Sequence, residues 1–297
     1  METLLLSSPY CKRLREIPQT PKKLYVIGNS ALLGLLSIAV VGTRRPSPYG
    51  VRASFTFGRD LASHGFVVVS GLAKGIDTAA HQGAIAAGGM TVAVLGHGLD
   101  VIYPARNAGL AHEIVEKGGC LVSEYPPGTP PLPGHFPARN RLISGLALGT
   151  LVVEAARKSG SLITASHALD QGRDVFVIPG QWNDSNFDGG HCLIQQGAKL
   201  VREVSDILEE YPWLTSESKK KFEIPTSWNW LRKFKEPATL IELQELSGKS
   251  SIELGEEIEV GLANGYLLET APQTYLWVGE SEKESSFHPA PCQNSKI

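Results

Sequence analysis

The chain lacks both of the familiar phosphate-binding loops. Neither G-x-x-x-x-G-K-[ST] nor G-x-G-x-x-G occurs, so nothing marks it for ATP hydrolysis or hydride transfer, and no cofactor is expected. Cysteine is scarce. Cys11, Cys120, Cys192 and Cys292 show no C-x-x-C spacing and no Cys/His cluster. That excludes a disulfide framework and a zinc site, leaves no metal to expect, and fits a reducing cytoplasm. An excess of one charge is lacking too. The net charge of −2 excludes a basic coating, so a polyanion would have to meet a local patch of Lys and Arg. Long apolar runs are missing as well. The opening METLLLSSPYCKRLREI is too short in its apolar part for a signal peptide or a membrane span, and no membrane association is expected.

What the chain does have is a regular beat of short apolar runs. Its 297 residues, 42% hydrophobic, suffice for one large α/β domain and a smaller one. From residue 37 onward the runs IAVV (38–41), FVVVS (66–70), TVAVLG (91–96), CLVSEY (120–125), TLVVEA (150–155) and DVFVIPG (174–180) recur between glycines and polar residues. Near-continuous apolar character marks strands buried on both faces. Helical stretches lie between them at 51–65, 76–89, 109–119 and 161–173, the last two closing on glycine. Alternation of this kind predicts right-handed βαβ units and a doubly wound, Rossmann-like parallel sheet over 37–211.

Residues 1–36 read as an N-terminal extension broken by Pro9, Pro18 and Pro21, with LYVIGNSALLG (24–34) as a strand and turn at the domain edge. A polar, Lys-rich linker covers 212–225. Over 226–279, helical stretches at 228–234, 240–248 and 253–265 precede strands at 266–270 and 274–279, which suggests a small winged-helix-like domain. The polar tail 280–297 is expected to be disordered.

In an open parallel sheet, ligands bind beyond the carboxyl ends of the strands, where strand order reverses. The segments after each strand share one chemistry. Arg44, Arg45, Lys74, Arg106, Arg139, Arg141 and Lys158 all fall there, with Gly42, Thr43, Gly71, Gly75, Ser159, Gly160, Ser161 and Thr164 among them. Helices starting at Ile76 and Ser161 add free N–H groups and a positive dipole end. Glycine lets an anion approach that backbone. One loop arginine is most often a solvated charge, but so many at one edge point to several phosphates in a row, hence a polymer. Phe136, Tyr103 and Asn140 supply groups for unpaired bases. The segment 126–145, PPGTPPLPGHFPARNRLISG, reads as a loop long enough to be functional.

Taken in order, LREIPQTPKKLYVIGN, VVGTRRPSPYG, VVVSGLAKGIDTAAHQGAI, TVAVLGHGLDVIYPARN, LVSEYPPGTPPLPGHFPARNRLISGL, LVVEAARKSGSLITA and ALDQGRDVFVIPG resemble the DprA (Smf) family, the DNA-processing proteins of bacterial transformation. The resemblance covers about Leu14 to Leu208. It implies a homodimeric, cytoplasmic, non-catalytic protein that binds single-stranded DNA, protects incoming strands and helps load RecA recombinase. It further implies a DNA pocket formed by Gly42 to Arg44, Gly71 to Gly75, Phe136 to Arg141 and Ser159 to Ala165, with Arg44 as the principal phosphate contact. Two departures stand out. The family usually carries a helical domain ahead of the LREIP segment, and only about a dozen residues precede it here. His191 and Cys192 also replace the Asn and Arg of the family's G-x-N-R-L-I. The acidic stretch ELGEEIEVGLANG favours a protein contact over duplex DNA in the C-terminal unit. A second reading keeps the same rim for a nucleotide-sized substrate, with Asp77 and Glu154 as an acid/base pair. A third is an adaptor acting through the C-terminal unit.

Overall fold

The structure is a computed structural model that describes residues 2–5, 7–8, 11–213, 238–263, 267–271 and 273–277. Its contacts divide the chain into two units, Met1–Pro212 and Trp213–Ile297.

The first unit is built on a nine-stranded sheet in the order β1-β2-β6-β5-β4-β3-β7-β8-β9. The strands are β1 Glu2–Leu5, β2 Lys23–Gly28, β3 Ser37–Val41, β4 Val67–Ser70, β5 Thr91–Leu95, β6 Cys120–Ser123, β7 Gly149–Val152, β8 Asp174–Val177 and β9 Lys199–Leu200. From β6 to β9 every pairing is parallel. β2 runs antiparallel to β6, and β1 antiparallel to β2. Helices α1 Pro48–Ser63, α2 Ile76–Ala86, α3 Ala108–Glu116, α4 His135–Leu146 and α5 Ser161–Asp170 connect the strands.

The whole of β3 is buried, because both faces of the sheet are covered. Ala39, Val41, Val69, Val94 and Val122 face one core with Leu142, Ile143, Ala165 and Ala168 from α4 and α5. Ala93, Leu95 and Leu121 face another with Leu110 and Ile114 from α3. Successive side chains of a strand point to opposite faces, so a strand covered on both sides must be apolar throughout. The chain steps from β3 through β4 and β5 to β6. It then returns by α4 to the other flank of β3 and continues through β7 to β9. Strand order therefore reverses between β3 and β7, which places the crevice for a ligand beyond their carboxyl ends.

Two expectations are corrected. Residues 1–36 belong to the first unit and add β1 and a 3-10 turn at Arg13–Arg15 to it, while the strand and turn read at 24–34 match β2 and a 3-10 turn at Ser30–Gly34. Leu4, Cys11, Leu14, Ile17, Leu24 and Val26 are buried in its core. Pro18 and Pro21 fall in turn and irregular positions before β2, where a missing N–H is tolerated. The 126–145 segment is a loop only as far as Gly134, since α4 starts at His135. Pro137 sits in the first turn, where the missing N–H costs nothing, and Leu142, Ile143 and Leu146 set the buried face. A further helix, α6 Asp188–Gln195, carries His191 and Cys192.

In the second unit, β10 Ala238–Thr239, β12 Thr274–Trp277 and β11 Leu267–Ala271 form a three-stranded sheet. Helix Leu240–Ser247 opens with a Thr239–Glu242 capping box and ends at Gly248 in the left-handed region. Helix Ser251–Ala263 follows. The expected helix at 228–234, most of the linker 212–225 and the tail 280–297 lie outside the described residues.

Candidate nucleic-acid interface

The turn after β3 is held from three sides. A Cβ on Gly42 would lie 2.6 Å from Ile76 Cγ1 and 3.0 Å from the Glu154 carbonyl oxygen, so only glycine fits there. The Thr43 N–H donates to that carbonyl at 2.8 Å, and the Thr43 carbonyl accepts from the Ile76 N–H at 3.3 Å. Thr43 Oγ1 accepts from the Arg45 N–H at 3.2 Å. The buried Glu154 carboxylate accepts from Ser47 N at 3.0 and 3.1 Å and from Ser47 Oγ at 2.7 Å, which fixes the start of α1. With its neighbours tied down, Arg44 is left exposed. Its guanidinium carbon stands 5.6 Å from the centre of the Phe136 ring, within reach of a cation–π attraction.

The loop after β4 is equally rigid. Gly71 N and Ala73 N donate to Asp77 Oδ2 at 3.1 and 3.3 Å. Asn107 Nδ2 donates to the Leu72 carbonyl at 2.8 Å and to Thr78 Oγ1 at 3.0 Å. Leu72 sits at φ 55 with its side chain fully buried, a left-handed backbone that costs a leucine about 1–2 kcal/mol. Gly75 has φ +82, and a Cβ there would meet the Thr43 carbonyl oxygen and Pro46 Cδ, each at 2.6 Å. The β3 and β4 turns thus touch backbone to backbone.

α4 sorts its candidates by helical phase. Phe136, Arg139, Asn140 and Ile143 follow i, i+3, i+4, i+7 spacing and face the crevice. Arg139 is only 4% exposed. Its Nη1 donates to the Gly71 carbonyl at 3.1 Å and to the Val94 carbonyl, and Nε donates to Asn140 Oδ1 at 3.3 Å. Burial lowers its pKa to about 10, against the pull of Asp77. Burial pushes the Asp77 carboxyl up, with Arg139 beside it acting in the other direction. Arg139 is therefore a cross-link between the ends of β4 and β5. Arg141 turns away from the crevice. It grips Glu124 with two hydrogen bonds of 2.7 Å, and its Nε donates to the Gln19 carbonyl at 3.0 Å.

The third wall is the start of α5. This helix has Gly160 before it; its first N–H groups turn back on Ser159 and Gly160 (Ser161 N to Ser159 Oγ at 3.4 Å, Leu162 N to the Ser159 carbonyl at 3.1 Å, Ile163 N to the Gly160 carbonyl at 3.3 Å), so it offers the crevice its positive dipole end. Ser159 Oγ and Ser161 Oγ stand 2.7 Å apart at its mouth. Ser161 and Thr164 are buried against it.

These walls enclose a cavity of about 560 Å³. Of the residues expected from sequence, Gly42, Thr43, Arg44, Phe136, Arg139, Asn140, Ser159, Gly160, Ser161 and Thr164 line it. Gly71 and Lys74 line an adjoining cavity of about 230 Å³, which shares Arg44 and Phe136 with the first. Tyr103 belongs to both and packs 5.7 Å from Phe136, ring centre to ring centre. Gly75 and Arg141 line neither. Ala73, Pro137 and Ile163 fall inside the expected segments, whereas Pro133 and Ile143 were passed over, since their apolar character gives no signal of a site. The Asp77–Glu154 pairing is not what the geometry provides. Asp77 serves the β4 loop and Glu154 serves the α1 cap, each on its own backbone partners.

The doubly wound sheet, with a crevice at its switch point that Arg44 and Arg139 line, defines a Rossmann-like α/β protein. The chain belongs to the family described as DNA recombination-mediator protein A, whose sequence model matches residues 3–212. Protein Smf of Escherichia coli (strain K12) is 46% identical over 220 residues, which cover 73% of this chain and 59% of that protein. The DNA processing protein DprA of Streptococcus pneumoniae (strain ATCC BAA-255 / R6) is 48% identical over 207 residues, covering 70% of this chain and 73% of that protein. The X-ray structure of the Streptococcus pneumoniae protein superposes with a TM-score of 0.67, over 70% of this chain and 74% of that one. DNA processing protein A of Helicobacter pylori, whose structure is described for its single-stranded DNA binding mode, superposes with a TM-score of 0.63. It is 34% identical, over 73% of this chain and 95% of that one.

Proposed function

We propose that this protein binds single-stranded DNA in the crevice between β3 and β7, without catalysis, and acts as a mediator of DNA processing and recombination. The observation that carries the reading is the fixed set of positive and hydrogen-bonding groups around one cavity: the exposed Arg44, the positive dipole end of α5 and the Ser159/Ser161 hydroxyls. Phe136 and Tyr103 stand among them. Cations and hydroxyls suit phosphates, and rings that line a cavity suit unpaired bases. The single-stranded DNA binding described for the Helicobacter pylori relative supports the same use of the fold. A cytoplasmic homodimer that hands the strand to RecA recombinase completes the reading, on the strength of the family resemblance. The enzyme alternative loses its acid/base pair, because Asp77 and Glu154 are both engaged with backbone N–H groups.

The test is binding of a labelled oligothymidylate, single-stranded against duplex, across a salt series, with Arg44→Ala alongside. The single strand should bind more tightly. Log affinity should fall with log salt by about 0.7 for each phosphate contacted, and Arg44→Ala should flatten the slope by about that amount. Equal binding of both forms, or no binding, would overturn the reading. Adding RecA to the preformed complex then tests the mediator role.

A further inference from the structure

The cavity occupies only part of the carboxyl edge of the sheet. Beyond β8 the chain continues through Pro179 and Gly180 to Trp182, which is 86% exposed, more than any other large apolar side chain among the described residues. A singly exposed apolar side chain is ordinary in itself; what sets this one apart is that its loop is fixed to the start of α1, beside the cavity.

Its loop is anchored. Tyr49 Oη donates to the Pro179 carbonyl at 2.9 Å, and the Tyr49 ring meets Phe187 edge-on at 5.8 Å. Phe187 is buried and closes tightly on Gly180, where a Cβ would lie 2.1 Å from the ring. Between these anchors, Asp184 N donates to the Gln181 carbonyl at 3.1 Å and Phe187 N to the Asp184 carbonyl at 2.9 Å. Tyr49 lies in the first turn of α1, directly after the turn that carries Arg44 and Arg45. The loop bearing Trp182 is thus fastened to the loop bearing the cavity's principal cation.

The flanking charge is mixed, with Asp184 and Asp188 on the chain that follows Trp182 and arginines on α1 and before α5. Arg45 and Arg52 are exposed and make no ion pair among the described residues. Arg157 is 73% exposed, and its contact with Asp188 is 3.6 Å long.

We propose that Trp182 is a second stacking station for single-stranded DNA, taking bases that leave the cavity past Tyr49 while Arg52 and Arg157 meet their phosphates. The proposal rests on the single-strand reading above and extends its footprint towards the β8 side of the sheet. An indole face accepts any base, so the station adds affinity without sequence preference. It also discriminates against duplex, whose base faces are already stacked.

The experiment compares oligothymidylates of about 4 and about 12 nucleotides, a span that brackets short and extended single-strand sites. The proteins are wild type, Trp182→Ala, Trp182→Phe and Arg44→Ala. Trp182→Ala should weaken the longer strand about tenfold and leave the shorter unchanged, with Trp182→Phe retaining most of the affinity. Tryptophan emission quenched by the longer strand in wild type should be missing in Trp182→Phe. The side chain is solvent-exposed, so these variants should fold as wild type. If Trp182→Ala binds both lengths normally while Arg44→Ala is impaired, the cavity reading stands and the second station is wrong. Equal loss at both lengths also overturns it, by placing Trp182 among the cavity's own contacts. If wild type binds neither strand, the single-strand reading fails and the station falls with it.

Discussion

On α4, each residue turns the side-chain direction by about 100°, so neighbouring arginines meet different fates. Arg139 lands over the crevice floor and is buried on main-chain carbonyls, whereas Arg141 lands on Glu124. A motif reading places both in a DNA pocket, and only helical phase separates them. Arg44 has no such ambiguity, because its turn was recognisable from an apolar strand running into glycine and two cations. His81 is a different kind of residue-scale case. It is fully buried in α2, and its Nδ1 lies 2.6 Å from Thr91 Oγ1, whose own hydrogen goes to the Val68 carbonyl. That arrangement holds a neutral ring protonated on Nδ1, and its Nε2 has no hydrogen-bond partner. Burial, helped by Arg139, lowers its pKa from 6.5 to about 3. A folded-state value below the unfolded one means the contribution is complete above pH 6.5 and is lost as pH falls from there towards 3. The slope reaches at most about 1.4 kcal/mol per pH unit. Urea midpoints measured between pH 6.5 and 5 should fall in wild type and fall less in His81→Gln. Parallel profiles would assign acid sensitivity to other groups.

At the scale of elements, the site is a meeting of turns. Apolar runs identified the strands, because a doubly covered sheet forces continuous hydrophobicity. They did not identify α4. Its first turn carries a proline and follows a proline-rich stretch, so local signals argued for loop until Leu142, Ile143 and Leu146 packed on the core. β2 was legible as a strand, whereas β1 was not, because it is short, a proline-broken stretch follows it, and its register is set by β2 rather than by local sequence. The contact between the β3 and β4 turns leads to a definite expectation. Gly75→Ala places a methyl against the Thr43 carbonyl at a φ that alanine disfavours. It should cost about 2–4 kcal/mol of stability, read by denaturant titration. It should also weaken oligonucleotide binding in step, although Gly75 itself lines no part of the cavity. Full affinity in a destabilised Gly75→Ala would show that the two turns hold their positions independently.

At the scale of the whole chain, every described residue of the cavity belongs to the unit Met1–Pro212, which has its own core on both faces of the sheet. A fragment of residues 1–212 should therefore fold cooperatively and bind single strands with the affinity of the full chain, as titration of both with one labelled oligonucleotide would show. A large loss would move part of the binding surface into the second unit. The long sheet also has a history written into its order. β2 is made early, yet its neighbour β6 lies roughly a hundred residues downstream, a stretch that takes a ribosome about 5–20 seconds to add. Until then the apolar Leu24 and Val26 have no β6 to rest on. The nascent amino-terminal segment must wait, exposed, for the middle of its own chain.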